Sequence, residues 1–376
     1  EMITALLLSA CAQHPPAAKP QTDVPQPMPA KQELALPERE NLRYDGEIYF
    51  GAMRRLSTEG ENAEGYFSWG GTHITYQATF GDRDCDQIYE LDLLSGARRL
   101  ISTGTGRTTC SYFMKGDDKI IFASTHGFAE DCLPPADFSN GYVWKIYPQF
   151  DLYVRDLETW ELTPLVPHEG YDAEAVVSPD GEHIVFTSRR SGDLEIFIMN
   201  SDGSNLTQLT DELGYDGGPF FSADSKKIVY RSYYPATEAE AQNYRDLLAR
   251  DSIEPMALQI RTMNIDGSDK FQVTHNEAAN FGPYWHPDGK RIIYCSNQAS
   301  ETGRDFDLFM VNADGSDDHQ VTFCPSFDGF PMFSHDGRNL IFSSNRNANK
   351  RGDTNMFMAE WLDNARAAKE FFLTQA

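Results

Sequence analysis

The sequence predicts an all-β fold: a six-bladed β-propeller of four-stranded antiparallel blades, with insertions in blades two and four. Three observations predict it. A motif of the kind "GFPMFSHDGRNLIFSSN" (329–345) is written six times. The copies recur at a period of about 45 residues, lengthened twice by about twenty. Each copy is followed by a second pair of apolar segments. Aromatics at 12% and 28 glycines agree with many short strands joined by tight turns.

The copies are "YFSWGGTHITYQA" (66–78), "YFMKGDDKIIFAS" (112–124), "VVSPDGEHIVFTS" (176–188), "FFSADSKKIVYRS" (220–232), "YWHPDGKRIIYCS" (284–296) and "MFSHDGRNLIFSS" (332–344). Each is an apolar pair, a turn and an apolar triplet. The turns carry Gly70, Gly116, Asp180, Asp224, Asp288 and Asp336 at one equivalent place. Asp-Gly between apolar segments favours a hairpin, because both central turn positions want positive φ. Second hairpins follow, such as "EIFIMNSDGSNLTQLT" (195–210) and "DLFMVNADGSDDHQVT" (307–322). Four strands per period make one blade, and a lone blade cannot cover both of its faces. A ring leaves none uncovered, so "IVF", "IIY" and "LIF" should pack between neighbours. "AMRRLST" (52–58) looks like a fourth strand without a blade. It is expected to pair with the third strand of the last blade and close the ring, in preference to its rival "KEFFLT" (369–374).

The first forty residues are expected to lie outside the fold. "MITALLLSAC" is an apolar run ending in small residues before Cys11, the shape of the end of a secretory signal. Leu8-Ser9-Ala10-Cys11 is similar to a bacterial lipobox, which implies cleavage before Cys11 and lipid on its sulfur. Residue 1 is Glu and no basic stretch precedes the run, so the sequence is expected to start inside its signal. Ala12 after the cysteine resembles the pattern of lipoproteins sent to the outer membrane. Residues 12–40, rich in Pro, Ala and Gln, read as an extended tether. The propeller is expected over 41–376. No other apolar run approaches the roughly 20 residues needed to span a bilayer, so contact with the membrane is expected through the N-terminal lipid only.

A net charge of -25 repels phosphate backbones and anionic lipid surfaces, which sets nucleic acid aside as a partner.

With "SPDGEHIVFTS", "SDGSNLTQLT", "GYDGGPFFS" and "FDGFPMFS" in view, the chain resembles the TolB-type propellers, relatives of the WD propellers, from Met53 to about Trp361. The resemblance implies the fold, a place in the bacterial envelope facing the periplasm or the outside, and a habit of binding other proteins. It does not state an activity.

Loops entering the innermost strands of a propeller converge on one mouth of the channel. Aligning them places Asn62, Thr108, Asp172, Asp216, Asn280 and Asp328 in one ring, with Glu64 and Glu174 two positions further on. One reading is a cation site, with calcium the ion that converging hard oxygen ligands suit. The other is that each Asp or Asn caps its own turn. A polar ligand or a peptide terminus is a third.

Setting Cys11 aside leaves five cysteines, an odd number. Cys295 and Cys324 fall at the same mouth and are the expected disulfide. Cys85, Cys110 and Cys132 map there too, so two of them can pair, or with His126 form a zinc site whose spacing matches no known motif.

The insertions 126–150 and 233–257 leave from the mouth side. Tyr142, Trp144 and Tyr147 in the first, and Tyr244 and Leu247 on a short helix capped by Thr237 in the second, form the expected partner surface. They shape a groove for a protein or peptide, or cap the mouth against solvent.

Enzyme motifs are scarce: no G-x-S-x-G elbow, H-E-x-x-H, P-loop or Rossmann pattern occurs. His275 and His286, with Asp216 or Asp328, are the remaining acid-base candidates. The function expected is therefore non-catalytic docking of an envelope protein or peptide by an outer-membrane lipoprotein. The alternative is a metal-dependent enzyme or small-ligand binder using the acidic mouth.

Overall fold

The computed structural model describes residues 32–33, 42–139, 141–255 and 257–363. The signal segment, Cys11, most of the tether and "KEFFLT" lie outside the described residues.

Six four-stranded antiparallel blades form a ring. Blade one uses Glu61–Phe67, His73–Thr79, Gln87–Asp92 and Ala97–Leu100, and Gln32–Glu33 adds a fifth strand to its outer edge. Blade two uses Thr108–Phe113, Lys119–Ser124, Asp151–Asp156 and Leu162–Leu165. Blade three uses Asp172–Val177, His183–Ser188, Glu195–Asn200 and Thr207–Gln208. Blade four uses Tyr215–Phe221, Lys227–Tyr233, Gln259–Asn264 and Phe271–Gln272. Blade five uses Asn280–Trp285, Arg291–Ser296, Asp307–Asn312 and His319–Gln320.

Blade six is built from both ends of the described chain. Asp328–Phe333, Asn339–Ser344 and Asn355–Trp361 are completed by Phe50–Arg55, with Phe50 opposite Trp361 and Arg55 opposite Phe357. The orphan strand therefore closes the ring as expected.

The apolar triplets lie where both faces are covered. Ile184, Val185 and Phe186 are fully buried, as are Ile292, Ile293 and Tyr294, and Leu340, Ile341 and Phe342. The Asp-Gly turns differ in one respect from the expectation. In blade three Gly181 alone of the pair takes positive φ (80°), and its N–H donates to Ser178 O at 2.8 Å. This is a type I turn followed by a left-handed residue. Asp180 earns its place as an acceptor instead: its carboxylate takes bonds from Ser178 Oγ at 2.5 Å and Glu182 N–H at 3.0 Å.

The two insertions meet. Trp144–Lys145 pairs antiparallel with Ser252–Ile253, so segments from blades two and four join in a short ribbon. The helix Glu238–Leu248 precedes the second segment, with Thr237 and Glu240 forming a capping box. Among the described residues no helix is long and apolar enough to cross a membrane.

Candidate functional site at the channel mouth

The six predicted ring residues stand at equivalent places, first or second in their blades' innermost strands, and all are fully buried. Their first role is in the backbone. Each N–H donates to a carbonyl leading the third strand of the preceding blade: Thr108 to Asp86, Asp172 to Phe150, Asp216 to Leu194, Asn280 to Leu258, Asp328 to Phe306 and Asn62 to Thr354. These six bonds stitch neighbouring blades at the mouth. The side chains are engaged as well. Ser188 Oγ donates to Asp172 at 2.5 Å, Ser296 Oγ to Asn280 at 2.6 Å, and Tyr234 OH to Asp216 at 2.9 Å. Arg190 pairs with Asp172 at 2.6 Å, and Arg346 with Asp328 at 2.7 Å. Asp172, Asp216, Asn280 and Asp328 are thus each bonded to a side chain of their own blade. Among the described residues, the one group of three acid or His side chains close enough to share a metal is Asp180, Glu182 and His183, at the turn joining the first two strands of blade three.

Blade one shows why a serine recurs at the end of the second strand. There the residue opposite Asn62 is Ala78, and Asn62 Oδ1 is buried without a partner. Ala78→Ser is expected to stabilise the fold by roughly 0.5–1.5 kcal/mol by supplying the missing hydroxyl. An unchanged or lower denaturation midpoint would remove that account of the serine.

Two residues further on, every inner strand bulges. Glu64, Cys110, Glu174 and Phe330 adopt left-handed backbone, with Gly218 and Gly282 at the matching positions of blades four and five. The bulge turns these side chains toward the axis. Glu174 pairs with Arg231, whose guanidinium fills the space that a Cβ on Gly218 would need. The other Glu174 oxygen accepts from Gly218 N–H at 2.8 Å and Thr187 Oγ1 at 2.7 Å. Glu64 lies beside Cys110 and Tyr66, and burial pushes its carboxyl up to about 7. A cavity of about 20 Å³ remains among these groups, room for one water molecule.

Below this layer the axis is filled by rings. Phe220 packs against Tyr66 at 5.6 Å and Tyr284 at 5.2 Å between centroids. Trp144 from the ribbon lies against Phe281 at 6.0 Å between centroids and has the Arg231 guanidinium on its ring face at 5.2 Å.

The expected partner surface divides. Tyr142 is exposed, Trp144 and Leu247 are half-buried, and Tyr147 and Tyr244 are buried. Tyr147 OH donates to Pro134 O at 2.8 Å, and Tyr244 OH lies between Asp193 and Gly214 O. These two hold the insertions down. Phe128 and Phe138, which the sequence reading passed over, are exposed in the same insertion as Tyr142.

The expected Cys295–Cys324 disulfide is not present: both are buried free thiols, and the bond is Cys85–Cys132. Cys295 Sγ points to Phe281 O inside blade five, while Cys324 Sγ faces Ser326. Sharing a mouth did not make them face each other. Cys110 is a free thiol, turned to the axis by the bulge. His286 sits in its turn, Nδ1 accepting from Asp288 N–H at 3.1 Å.

Four residues missed by the sequence reading organise the mouth: Arg190, Arg231, Arg346 and Glu47. A readable signal existed for two of them. Arg190 and Arg346 each stand two residues after the serine that faces a ring aspartate.

Burial also drives the Glu195 carboxyl up to about 8 and those of Asp216 and Asp307 up to about 7. Such acids hold more protons folded than unfolded. Their stabilising contribution is complete below the ordinary carboxyl range and is lost as pH climbs through the raised values. The fold is therefore expected to resist denaturant better at about pH 5.5 than at about pH 8. Glu195→Gln should flatten that profile; a profile rising toward pH 8 would contradict the assignment.

Residues 142–256 match the TolB beta propeller domain family. An uncharacterized protein of Agrobacterium fabrum is 28% identical over 148 residues, 39% of this chain and 46% of that protein. TolB from Acinetobacter baumannii superposes with a TM-score of 0.53 at 18% identity, over 71% of this chain and 56% of that one. The chain thus spans about half the length of both. A gluconolactonase from Xanthomonas campestris superposes with a TM-score of 0.55 at 12% identity, over 90% of this chain and 99% of that one. At such identities the structural likeness speaks for the fold. The ring of six blades and the repeats agree: the chain is a six-bladed β-propeller, within which residues 142–256 match the TolB beta propeller domain.

Proposed function

We propose that the chain is a non-catalytic propeller, tethered by lipid on Cys11 to the bacterial outer membrane, that docks a protein partner on its lidded mouth. One observation carries the docking reading. The insertions cover the mouth with a ribbon and present Phe128, Phe138 and Tyr142 at 69%, 55% and 66% exposure. Exposed aromatics grouped on one segment mark interaction surfaces. The Cys85–Cys132 bond supports an oxidising compartment such as the periplasm. The test is a photo-crosslinking residue placed at position 142 in cells. A single protein crosslinked there, and not from a site on an outer blade turn, supports the reading; no crosslink, or the same products from both sites, defeats it.

A second reading keeps the channel as a ligand or metal site, with calcium the ion first considered. Glu64, a buried acid with a raised pKa beside a thiol, favours it. Metal analysis of the purified protein, wild type against Glu64→Gln, tests it: a stoichiometric ion lost in the variant would move the function to the axis.

A further inference from the structure

We propose that the Phe138–Tyr142 ring pair is a platform for an arginine side chain in a basic segment of the docked partner. This rests on the docking reading above and names the chemistry of the partner. The two rings stack at 5.7 Å between centroids and 14° between planes. They are held that way: Gly141 N–H donates to Phe138 O at 3.2 Å, and Trp144 Nε1–H donates to Tyr142 OH at 3.3 Å. The pair is therefore preset and leaves an outward π face on each ring, the surface on which a guanidinium plane stacks.

Charge selects the same guest. Between His126 and Tyr142 the chain carries Glu130, Asp131 and Asp137, all exposed, and no Lys or Arg. Asp137 is a firm anion, since the Ser139 N–H bonded to it holds its pKa below the ordinary range. An acidic guest is repelled by these groups and by the net charge of -25. A purely apolar guest leaves the carboxylates unused. Arginine satisfies both, its plane on the rings and its N–H groups toward the carboxylates. Lysine supplies charge without the plane.

The test measures binding of a fluorescent Gly-Arg repeat peptide and its Gly-Lys counterpart to the full chain at moderate salt. Phe138→Ser/Tyr142→Ser is expected to weaken the Arg peptide about tenfold, with Asp131→Asn/Asp137→Asn close behind. The Lys peptide should bind several-fold more weakly than the Arg peptide to wild type and lose little in the ring variant. The ring positions are exposed, so unchanged circular dichroism and melting will show that the variants are folded. Equal binding of the Arg peptide to wild type and ring variant, or equal binding of Arg and Lys peptides, overturns the assignment. If the Arg peptide fails yet position 142 still crosslinks one protein in cells, docking stands and the arginine assignment falls. If the peptide behaves as expected and no crosslink forms, the platform stands and docking of a cellular partner there falls.

Discussion

Arg346→Met is expected to destabilise the protein by roughly 3–5 kcal/mol, the cost of leaving buried carboxylates without their cation. Arg346 is fully buried and bonds Glu47 through both of its terminal nitrogens, at 3.0 and 3.1 Å, while also pairing with Asp328 at 2.7 Å. A further N–H donates to Leu42 O at 3.1 Å. The side chain therefore clamps three parts of the seam: the segment before the closing strand, the ring aspartate of blade six and the end of that blade's second strand. Burial already raises the Asp328 carboxyl, and Arg346 opposes the rise. Without the arginine the carboxyl must take a proton to stay buried. The deficit of the variant should therefore shrink as pH falls from neutral toward the ordinary carboxyl range, the interval in which the further-raised carboxyl of the variant takes up its proton. Denaturant midpoints of both proteins across pH check this. A loss under about 1 kcal/mol would mean that the pairs are wet and weak.

Cys85→Ala/Cys132→Ala is expected to cost roughly 3–4 kcal/mol, because the bond closes a long loop in the unfolded chain; the sequence separation is 47. The bond also fastens the first insertion, whose Glu130 O accepts from Gly106 N–H at 2.6 Å and Leu133 O from Arg107. Reductant should lower the denaturation midpoint of the wild type to that of the double variant and leave the variant itself unmoved. A reductant effect of equal size in both would place the sensitivity elsewhere.

The blades were legible because turn residues and apolar triplets recur in register, and each blade must bury both faces against a copy of itself. The closing strand was legible for the same reason, as a fourth strand with no blade. Pairing between insertions was not: nothing in "VWKIY" or "RDSIE" marks them as partners, and over a hundred residues separate them. The disulfide failed on a finer scale. Five cysteines mapped to one mouth, and only side-chain direction separates Cys85 and Cys132, which meet, from Cys295, which points into its own blade. The ring was found by alignment, but arginine is by habit read as surface, so Arg346 went unseen. The bulge left a clue in Gly218 and Gly282, two glycines at one repeat position, where Glu64 and Glu174 bear the same backbone at a cost.

The make-up of blade six has a consequence for biosynthesis. About 300 residues lie between Arg55 and Asn355, which belong to neighbouring strands. At a synthesis rate of about 5–20 residues per second, the earliest strand waits some tens of seconds for its hydrogen-bonding neighbour. During that interval five blades can assemble as an open arc with a sticky border at each end. A holding factor that shields nascent chains would therefore be needed most just before the last repeat emerges.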